Sequence, residues 1–244
     1  MTRESKVIVV TGSAGGIGHA ITTKLEERGH RVIGLDRAGC RPESHDHQVD
    51  MADTDALLSL AYDLAGGYEI GALVHNAAVQ PIGAVGETSV ADWIEALRVN
   101  VLAADVLAGA FRQSMAAQNG SVVVVSSVHA RATTGGITAY ATTKAALEGW
   151  VRSAALDLGP EIRVNAIAPG AVDTAKLREG FDRWGPDIGD GRRAVLRERT
   201  ALGRIADPSE IAEVVQFLIG GQSAFMTGSV LTIDGGASAR LGSE

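Results

Sequence analysis

The hydrophobic positions of the chain follow two alternating patterns. Short, continuous apolar runs rich in β-branched residues predict buried strands, and longer stretches with apolar residues three and four apart predict helices. The predicted strands span Val7–Thr11, Arg31–Asp36, Gly71–His75, Ser121–Ser126, Arg163–Ala168 and Gly228–Ile233. The predicted helices span Ile17–Arg28, Ala52–Ala65, Val90–Gln118, Ala139–Leu158 and Pro208–Leu218. Asp207 is expected to cap the last of these helices.

This alternation indicates the fold class. Strands that are apolar throughout and separated by helices are typical of a parallel sheet covered on both faces. We therefore predict a Rossmann-type, doubly wound α/β sheet of about seven strands, in a single domain over residues 1–244. The stretch Val172–Gly203 is rich in glycine and charge, and we expect it to be irregular. Because it follows the strand Arg163–Ala168 at the carboxyl edge of the sheet, we expect residues 172–203 to form a substrate lid.

Composition excludes several classes of protein. The formal net charge of −7 argues against binding to a nucleic-acid backbone. Cys40 is the only cysteine, so neither an intrachain disulfide nor a cysteine-rich metal site is expected, and no other metal cluster is evident. The first residues lead directly into an apolar run, so we expect no signal peptide. No apolar stretch reaches the roughly 20 residues of a membrane helix. We expect a cytoplasmic protein.

A glycine-rich segment connects the first predicted strand to the first predicted helix. Gly12 permits a sharp turn, Gly16 lets the backbone approach a pyrophosphate, and Gly18 allows close packing of helix on strand. The helix N-terminus then presents amide groups and a partial positive charge to phosphates. This strand–loop–helix context predicts a dinucleotide site.

Asp36 indicates which dinucleotide is bound. It ends the second predicted strand, where a carboxylate accepts hydrogen bonds from the adenosine ribose hydroxyls and repels a 2′-phosphate. Arg37 could receive that phosphate, but the glycine segment offers no basic residue to assist it. We therefore expect NAD, with NADP less favoured.

Tyr140 and Lys144 are four residues apart in a predicted helix, so their side chains share one face. A lysine ammonium near a phenol favours the phenolate and lowers its pKa from about 10, which would allow proton transfer near neutral pH. The same spacing also occurs on solvated helix faces.

Together these segments resemble the short-chain dehydrogenase/reductase family over about residues 6–236. The family's glycine motif corresponds to Thr11 through Gly18. Its Asn-Asn-Ala-Gly motif appears as His75-Asn76-Ala77-Ala78, which departs at both ends. We expect cofactor binding to survive this departure and His75 to be a packed structural residue.

The resemblance implies four catalytic residues: Asn100, Ser127, Tyr140 and Lys144. In alcohol oxidation, Tyr140 as phenolate would remove the hydroxyl proton, while Lys144 stabilises the phenolate and holds the nicotinamide ribose. Ser127, thirteen residues before Tyr140, would hydrogen-bond the substrate oxygen, with the neighbouring Ser126 as the alternative. Asn100 would order a helix backbone and a water that relays protons to Lys144.

The resemblance also implies cofactor contacts. The backbone at Val172 would contact the nicotinamide amide, Thr174 a phosphate, and Asp50 the adenine. The full set is Gly12, Ala14, Gly16, Ile17, Gly18, Asp36, Arg37, Asp50, Met51, Asn76, Ala77, Tyr140, Lys144, Pro169, Gly170, Val172 and Thr174. The last strand commonly helps such proteins form a tetramer, so we expect a homotetramer or homodimer.

The substrate is less closely defined. Family analogy places Gln80, Ser127, His129 and Tyr140 at the pocket, together with Arg131 and the segment Asp173–Arg199. The polar side chains fit a sugar, a polyol or a cyclic alcohol, although His129 and Arg131 could merely brace a loop. Trp184 in the lid could instead cover an apolar ring, as of a steroid-like alcohol. A 3-oxoacyl reductase is less favoured because it would be expected to use NADPH, and a catalytically idle NAD-sensing protein of the same fold is the remaining alternative.

Overall fold

A seven-stranded parallel sheet forms the centre of the computed structural model, which describes residues 6–39, 45–182 and 186–239. The strands are β1 (Val7–Thr11), β2 (Arg31–Asp36), β3 (His47–Gln48), β4 (Ile70–His75), β5 (Ser121–Val125), β6 (Arg163–Pro169) and β7 (Val230–Ile233). Their order across the sheet is β3-β2-β1-β4-β5-β6-β7, and all neighbours are parallel. The predicted fold class is confirmed.

Eight α-helices accompany the sheet in the described part of the chain. They are α1 (Gly16–Glu27), α2 (Thr54–Gly67), α3 (Val90–Leu97), α4 (Ala103–Ala117), α5 (Thr138–Leu158), α6 (Ala175–Asp182), α7 (Pro186–Arg199) and α8 (Pro208–Ile219). Asp207 caps α8 as predicted, because its Oδ1 accepts from the Ser209 amide at 2.8 Å. No helix among the described residues combines the length and the apolar character needed to cross a bilayer.

The hydrophobic core lies on both faces of the sheet, and the strands alternate between them. On β1, Ile8 and Val10 pack with residues of α1 and α8, whereas Val9 packs with residues of α2, α4 and α5. All three side chains are fully buried. Each such side chain contributes roughly 1.5–3 kcal/mol by leaving water. Two-sided burial explains why the strands are apolar throughout rather than at alternate positions.

The long helical stretch predicted from Val90 to Gln118 is interrupted in its middle. Residues Arg98–Leu102 form a π-helical turn between α3 and α4, and Asn100 lies within it, fully buried. Single π-helical turns of this kind occur frequently at functional sites.

Two predictions about local structure were wrong. Residues 172–203 are not irregular, because α6 and α7 occupy most of them. Thr174 caps the start of α6, because its hydroxyl accepts from the Leu177 amide at 3.2 Å. The glycines do not prevent helix formation, since each glycine inside a helix costs only about 1 kcal/mol relative to alanine. Strand β3 was missed because two polar residues show no periodicity, and its pairing with β2 is a tertiary contact.

The strand order places a crevice at the centre of the sheet. From β1 the chain runs outward to β2 and β3 and then returns to place β4 on the other side of β1. Ligands of open α/β sheets bind at such a switch point, beyond the carboxyl ends of the strands. Trp184, which was expected to cover an apolar ring, lies outside the described residues, as does Cys40.

Candidate functional site

The glycine segment after β1 is packed so closely that its glycines are required. Gly12 has a φ of +66°, and a Cβ there would lie 2.9 Å from the Cα of Ala77. A Cβ at Gly18 would overlap the carbonyl oxygen of Gly12, and one at Gly16 would lie 2.8 Å from the Thr174 Cγ2. No side chain caps the N-terminus of α1, so its first-turn amides can bind an anion.

Thr11 and Asn76 fasten the carboxyl ends of β1 and β4 to each other. The Thr11 hydroxyl oxygen accepts from the backbone amides of Asn76 and Ala77, both at 3.0 Å. The Asn76 Nδ2 donates to the Gly12 carbonyl at 3.0 Å. The predicted cofactor residues Gly12, Asn76 and Ala77 are therefore brought together.

His75 has its proton position fixed by these hydrogen bonds. Both lone pairs of the Thr11 hydroxyl are used by amides, so its hydrogen donates to His75 Nδ1 at 3.1 Å, and the ring proton resides on Nε2. The ring is fully buried, and burial, reinforced by Lys144, lowers its pKa to about 3. The backbone groups of Val99 and Asn100 oppose this lowering, and Nε2 is buried without a hydrogen-bond partner among the described residues. His75 is neutral and structural, as predicted.

The Asp36 carboxylate lies across the glycine segment. Its Oδ2 accepts from the Ala14 amide at 3.0 Å, and its Oδ1 accepts from the Ala38 amide at 2.9 Å. Arg37 beside it is exposed. Asp50 forms a turn by accepting from the Ala52 amide at 2.9 Å. The residues predicted for the adenosine side lie near one another, because the Val49 amide donates to the Asp36 carbonyl at 3.0 Å, and Met51 next to Asp50 is buried.

Asn100 bridges two elements of the site. Its Nδ2 donates to the Val79 carbonyl at 3.0 Å and to the Thr143 hydroxyl at 2.9 Å, while its Oδ1 accepts from the Val79 amide at 2.9 Å. Thr143 in turn donates to the Tyr140 carbonyl at 2.8 Å. Asn100 thus connects the loop after β4, where Gln80 follows Val79, to the turn of α5 that carries Tyr140 and Lys144. Its side chain makes no hydrogen bond to Lys144, and Thr143 is a contributor that sequence reasoning missed.

Ser127, not Ser126, faces Tyr140. Ser127 caps the short 3₁₀ turn that follows β5 by accepting from the His129 amide at 3.2 Å, and it hydrogen-bonds the Tyr140 side chain. Ser126 is directed instead to Glu148, whose Oε1 is 3.2 Å from its hydroxyl. The opposite directions of the two serines follow from the strand alternation that the sequence predicts.

Tyr140 and Lys144 lie together, with the Lys144 Nζ 5.7 Å from the centre of the Tyr140 ring. Nζ is buried and donates to the Val125 carbonyl at 2.7 Å. Burial, with a smaller contribution from Lys176, lowers the pKa of Lys144 to about 7. Burial raises the pKa of Tyr140, and the hydrogen bond from Ser127 opposes this rise.

The expected lowering of the Tyr140 pKa is therefore wrong for this structure. The pKa of Lys144 is lowered to about 7, whereas the pKa of the Tyr140 phenol is raised. Near pH 7 only part of the Lys144 population is charged, which weakens its stabilisation of the phenolate. The pair has the predicted geometry, but at neutral pH Lys144 is the member that changes charge, and Tyr140 keeps its proton.

The predicted pocket residues His129 and Arg131 make different contacts. The His129 ring packs edge-on to the Tyr140 ring with centroids 6.1 Å apart, and its Nδ1 lies 3.2 Å from the Thr133 hydroxyl. Burial lowers the pKa of His129. Arg131 forms an ion pair with Glu148, with its Nε 3.0 Å from Oε2. This contact agrees with the alternative interpretation, that Arg131 braces the loop.

The segment after β6 closes the crevice from the other side. Gly170, which follows Pro169, packs closely against Asp234. A Cβ added at Gly170 would lie 2.8 Å from the Asp234 Cβ. Val172 is buried and pairs with Ala206, and Thr174 packs on Gly16. Beyond it, Lys176 lies close enough to Lys144 to lower its pKa, a neighbour that sequence reasoning missed because nothing in the spacing links the two. The described residues contain no group of three or more His, Cys, Asp or Glu side chains suited to a metal ion.

The sequence matches a family model described as enoyl-(acyl carrier protein) reductase over residues 12–238. A human relative, dehydrogenase/reductase SDR family member 4, is 31% identical over 97% of this chain and 89% of its own length. The cis-4-hydroxycyclohexanecarboxylate dehydrogenase of Sinomonas cyclohexanicum is 33% identical over 96% of this chain and 97% of its own length.

Solved structures agree with this result. The ligand-free aldohexose dehydrogenase of Thermoplasma acidophilum superposes with a TM-score of 0.93 at 29% identity, covering 98% of this chain and 96% of that one. A second structure is that of a protein from Beutenbergia cavernae, provisionally assigned as an NAD(P)-dependent gluconate 5-dehydrogenase and solved with NADP at low occupancy. It superposes with a TM-score of 0.87 at 30% identity, covering 96% of this chain and 97% of that one. With the glycine segment, the serine and the Tyr140–Lys144 pair in one crevice, the chain belongs to the short-chain dehydrogenase/reductase family.

Proposed function

We propose that the protein is an NAD(H)-dependent oxidoreductase that interconverts a secondary alcohol and a ketone. The observation that carries the proposal is the placement of Ser127, Tyr140 and Lys144 together at the carboxyl edge of a sheet whose glycine segment can hold a dinucleotide. When bound, the nicotinamide cofactor supplies or accepts the hydride. The chain then has to orient the substrate oxygen and move one proton.

Ser127 and Tyr140 are proposed to hold the substrate oxygen through their hydroxyls. Because burial raises the pKa of Tyr140, the phenol is protonated at neutral pH and suited to donate a proton to a ketone oxygen. In the opposite direction Tyr140 must lose its proton, which is easier while Lys144 is charged. Asn100 acts as a positioning residue, since it fixes the turn of α5 that carries both groups.

The preference for NAD is proposed from the surroundings of Asp36. Its carboxylate is placed at the glycine segment, where it can accept from ribose hydroxyls and would repel a 2′-phosphate. The cation next to Asp36 along the chain is the exposed Arg37. One relative was solved with NADP, so turnover with NAD and with NADP has to be compared directly.

For the substrate we propose a polar alcohol such as a sugar, a polyol or a cyclic alcohol. Gln80 and the half-buried His129 supply hydrogen-bonding groups, and the lid segment, residues 172–203, is proposed to cover them. The relatives named for an aldohexose and for 4-hydroxycyclohexanecarboxylate act on alcohols of this kind. We further propose a cytoplasmic homotetramer or homodimer that uses the edge strand β7.

A second candidate is an anionic substrate, including a 3-oxoacyl group on an acidic carrier. A cavity of about 240 Å³ lies among α6, α7 and the segment after α7. Four arginines and one carboxylate line it, and three of the arginines, Arg178, Arg193 and Arg204, pair with carboxylates, so a carboxylate or phosphate would have to compete with those pairs. The lining residues are Asp173, Leu177, Arg178, Phe181, Arg193, Arg197, Arg204 and Ile205.

The proposal is tested by following nicotinamide absorbance with a panel of substrates and both cofactors. Sugars, polyols and cyclic alcohols, with and without a carboxylate, are offered with NAD and NADP, and 3-oxoacyl thioesters with NADH and NADPH. Turnover of an alcohol with NAD supports the first candidate, and turnover of 3-oxoacyl thioesters alone supports the second. Tight dinucleotide binding without any turnover would instead indicate a catalytically idle NAD-sensing protein.

A further inference from the structure

A buried carboxylate, that of Glu148, contacts residues on both sides of the catalytic serine. Glu148 lies on α5, four residues and so about one helical turn after Lys144, and its side chain is only 6% exposed. Its Oε1 is 3.2 Å from the Ser126 hydroxyl, and its Oε2 accepts from the Arg131 Nε at 3.0 Å. Both carboxylate oxygens are therefore paired, as a buried charge requires.

The two partners of Glu148 flank the turn that presents Ser127. Ser127 caps the 3₁₀ turn Val128–Ala130, and Arg131 ends it, so residues 127–131 form one unit, the serine turn. Ser126 comes directly before this unit. Glu148 therefore holds the serine turn to α5 at both ends, through Ser126 at its start and through Arg131 at its end.

Helix α5 also carries the group with which Ser127 has to cooperate. Ser127 hydrogen-bonds the side chain of Tyr140, which lies two helical turns before Glu148. The Ser126 hydroxyl has one proton, and two acceptors are within its reach, Glu148 Oε1 at 3.2 Å and the Lys144 carbonyl at 3.4 Å. Both acceptors belong to α5, and the charged one forms the stronger hydrogen bond. The position of Ser127 is thus referred to the helix that carries Tyr140.

Stability alone does not account for a carboxylate at this position. Its neighbours Leu147 and Val151 on α5 are buried and apolar. Replacing a buried ion pair by well-packed apolar residues is often neutral or stabilising, because the charges no longer have to leave water. What a carboxylate offers and an apolar side chain does not is a pair of directional hydrogen bonds, which fix the orientation of the groups that donate them.

We propose that Glu148 is a positioning residue for the reaction, because it holds the serine turn so that the Ser127 hydroxyl stays in place beside Tyr140. This inference rests on the proposed function, since it requires that Ser127 and Tyr140 act on a substrate oxygen. Glu148 itself neither gives nor takes a proton in the reaction. Arg131 acts with it by holding the far end of the serine turn.

The first test is kinetic and uses Glu148→Gln, which keeps the size of the side chain but offers one oxygen to two donors. The probe is whichever alcohol of the panel the unaltered protein oxidises fastest with NAD, at saturating concentration. Displacement of Ser127 should lower kcat about 10- to 100-fold, while the dissociation constant of NAD should hardly change. Glu213→Gln is the matched control, because it removes an ion pair with Lys24, 2.8 Å long, between α1 and α8. Its kcat should be that of the unaltered protein.

A double-mutant cycle separates positioning of Ser127 from general support of the fold. If Glu148 acts through Ser127, Glu148→Gln should lower kcat by less than about twofold once Ser127→Ala is present. An equal loss with and without Ser127, or no loss in either, would overturn the inference. Ser126→Ala and Arg131→Gln each remove one connection and carry the same cycle if Glu148→Gln does not fold. Arg131→Lys, which keeps a charged donor, should retain more turnover than Arg131→Gln.

A second readout needs no turnover. Carbon nuclear magnetic resonance of ring-labelled tyrosine reports the surroundings of the Tyr140 hydroxyl, and Tyr140→Phe identifies its signal among the three tyrosines. Ser127→Ala should shift this signal, and Glu148→Gln should shift it in the same direction but add no shift to Ser127→Ala. A signal that Glu148→Gln leaves unmoved would overturn the inference. If the unaltered protein turns over no alcohol or ketone, the proposed function fails, and this signal still decides whether Glu148 positions Ser127.

Discussion

The hydroxyl oxygen of Thr11 lies 3.1 Å from Nδ1 of His75, and this hydrogen bond joins the carboxyl ends of the two strands that border the cofactor crevice. It also fixes the tautomer of the ring, because the other hydrogen-bonding positions of the hydroxyl are already used. His75 stands where the family motif has asparagine. The substitution therefore keeps a hydrogen-bonding side chain at the switch point of the sheet.

Replacing His75 by Phe should lower the free energy of unfolding by about 1–3 kcal/mol, because the Thr11 hydroxyl would lose its acceptor inside the core. His75→Asn, which restores the family residue, should lose less. Urea denaturation measures both, with the exposed His19→Asn as control. Unchanged stability of His75→Phe would mean that the hydrogen bond contributes nothing.

Tyr140→Phe removes only the hydroxyl that is proposed to move the proton. Turnover should fall roughly 100- to 10,000-fold, because that is the usual contribution of general acid–base catalysis. The dissociation constant of NAD should hardly change, and calorimetry can show this. Tyr62→Phe, at an exposed position, is the matched control. Near-normal turnover in Tyr140→Phe would defeat the proposed mechanism.

Asp36→Ala should weaken NAD binding and narrow the difference between NAD and NADP. The variant loses the acceptor for the ribose hydroxyls and also the charge that repels a 2′-phosphate. Values of kcat/KM for both cofactors measure the change. Equal use of the two cofactors by the unaltered protein would show that Asp36 does not decide the preference.

The stability of the protein should depend on pH through Lys144. Its pKa is about 7 in the folded protein and 10.5 ordinarily, so between these values the unfolded chain binds more protons. Folded-state stability attributable to Lys144 should therefore rise as the pH increases from 7 towards 10.5. Below pH 7 both states are protonated, and the full cost of burying the charge remains.

Denaturation at about pH 6.5, below this range, and at about pH 9.5, near its upper end, should show the unaltered protein gaining stability relative to Lys144→Met at the higher pH. Lys24→Met is the control. The hydrogen bond to Glu213 raises the pKa of Lys24, so it stays charged in both states across this range and adds no pH dependence. A constant difference between the unaltered protein and Lys144→Met would refute the lowered pKa.

Gly18→Ala should both destabilise the fold and weaken cofactor binding. Its Cβ would overlap the Gly12 carbonyl oxygen, so the glycine segment or α1 must move. Gly109→Ala is the opposite control, because its Cβ would meet nothing within 4 Å on α4 and should stabilise that helix by up to about 1 kcal/mol. Thermal unfolding and NAD affinity distinguish the two variants.

The sequence by itself determined the fold class and most of the site. Continuous apolar strands require burial on both faces, which implies a parallel sheet with helices, and the observed bounds lie close to those predicted. The glycines, Asp36 and the Tyr140–Lys144 spacing are local signals, because neighbours along one strand, turn or helix stay neighbours after folding. Even the opposite directions of Ser126 and Ser127 follow from strand geometry alone.

Only the tertiary structure decided the properties that depend on burial and on contacts between distant segments. The pKa of Tyr140 is raised and that of Lys144 lowered because both are desolvated, which their spacing in the chain does not reveal. The Asn100–Thr143 hydrogen bond, the His75 tautomer and the position of Lys176 beside Lys144 each join segments far apart in sequence. Desolvation and long-range contact are set by packing, and packing exists only once the sheet and its helices have come together.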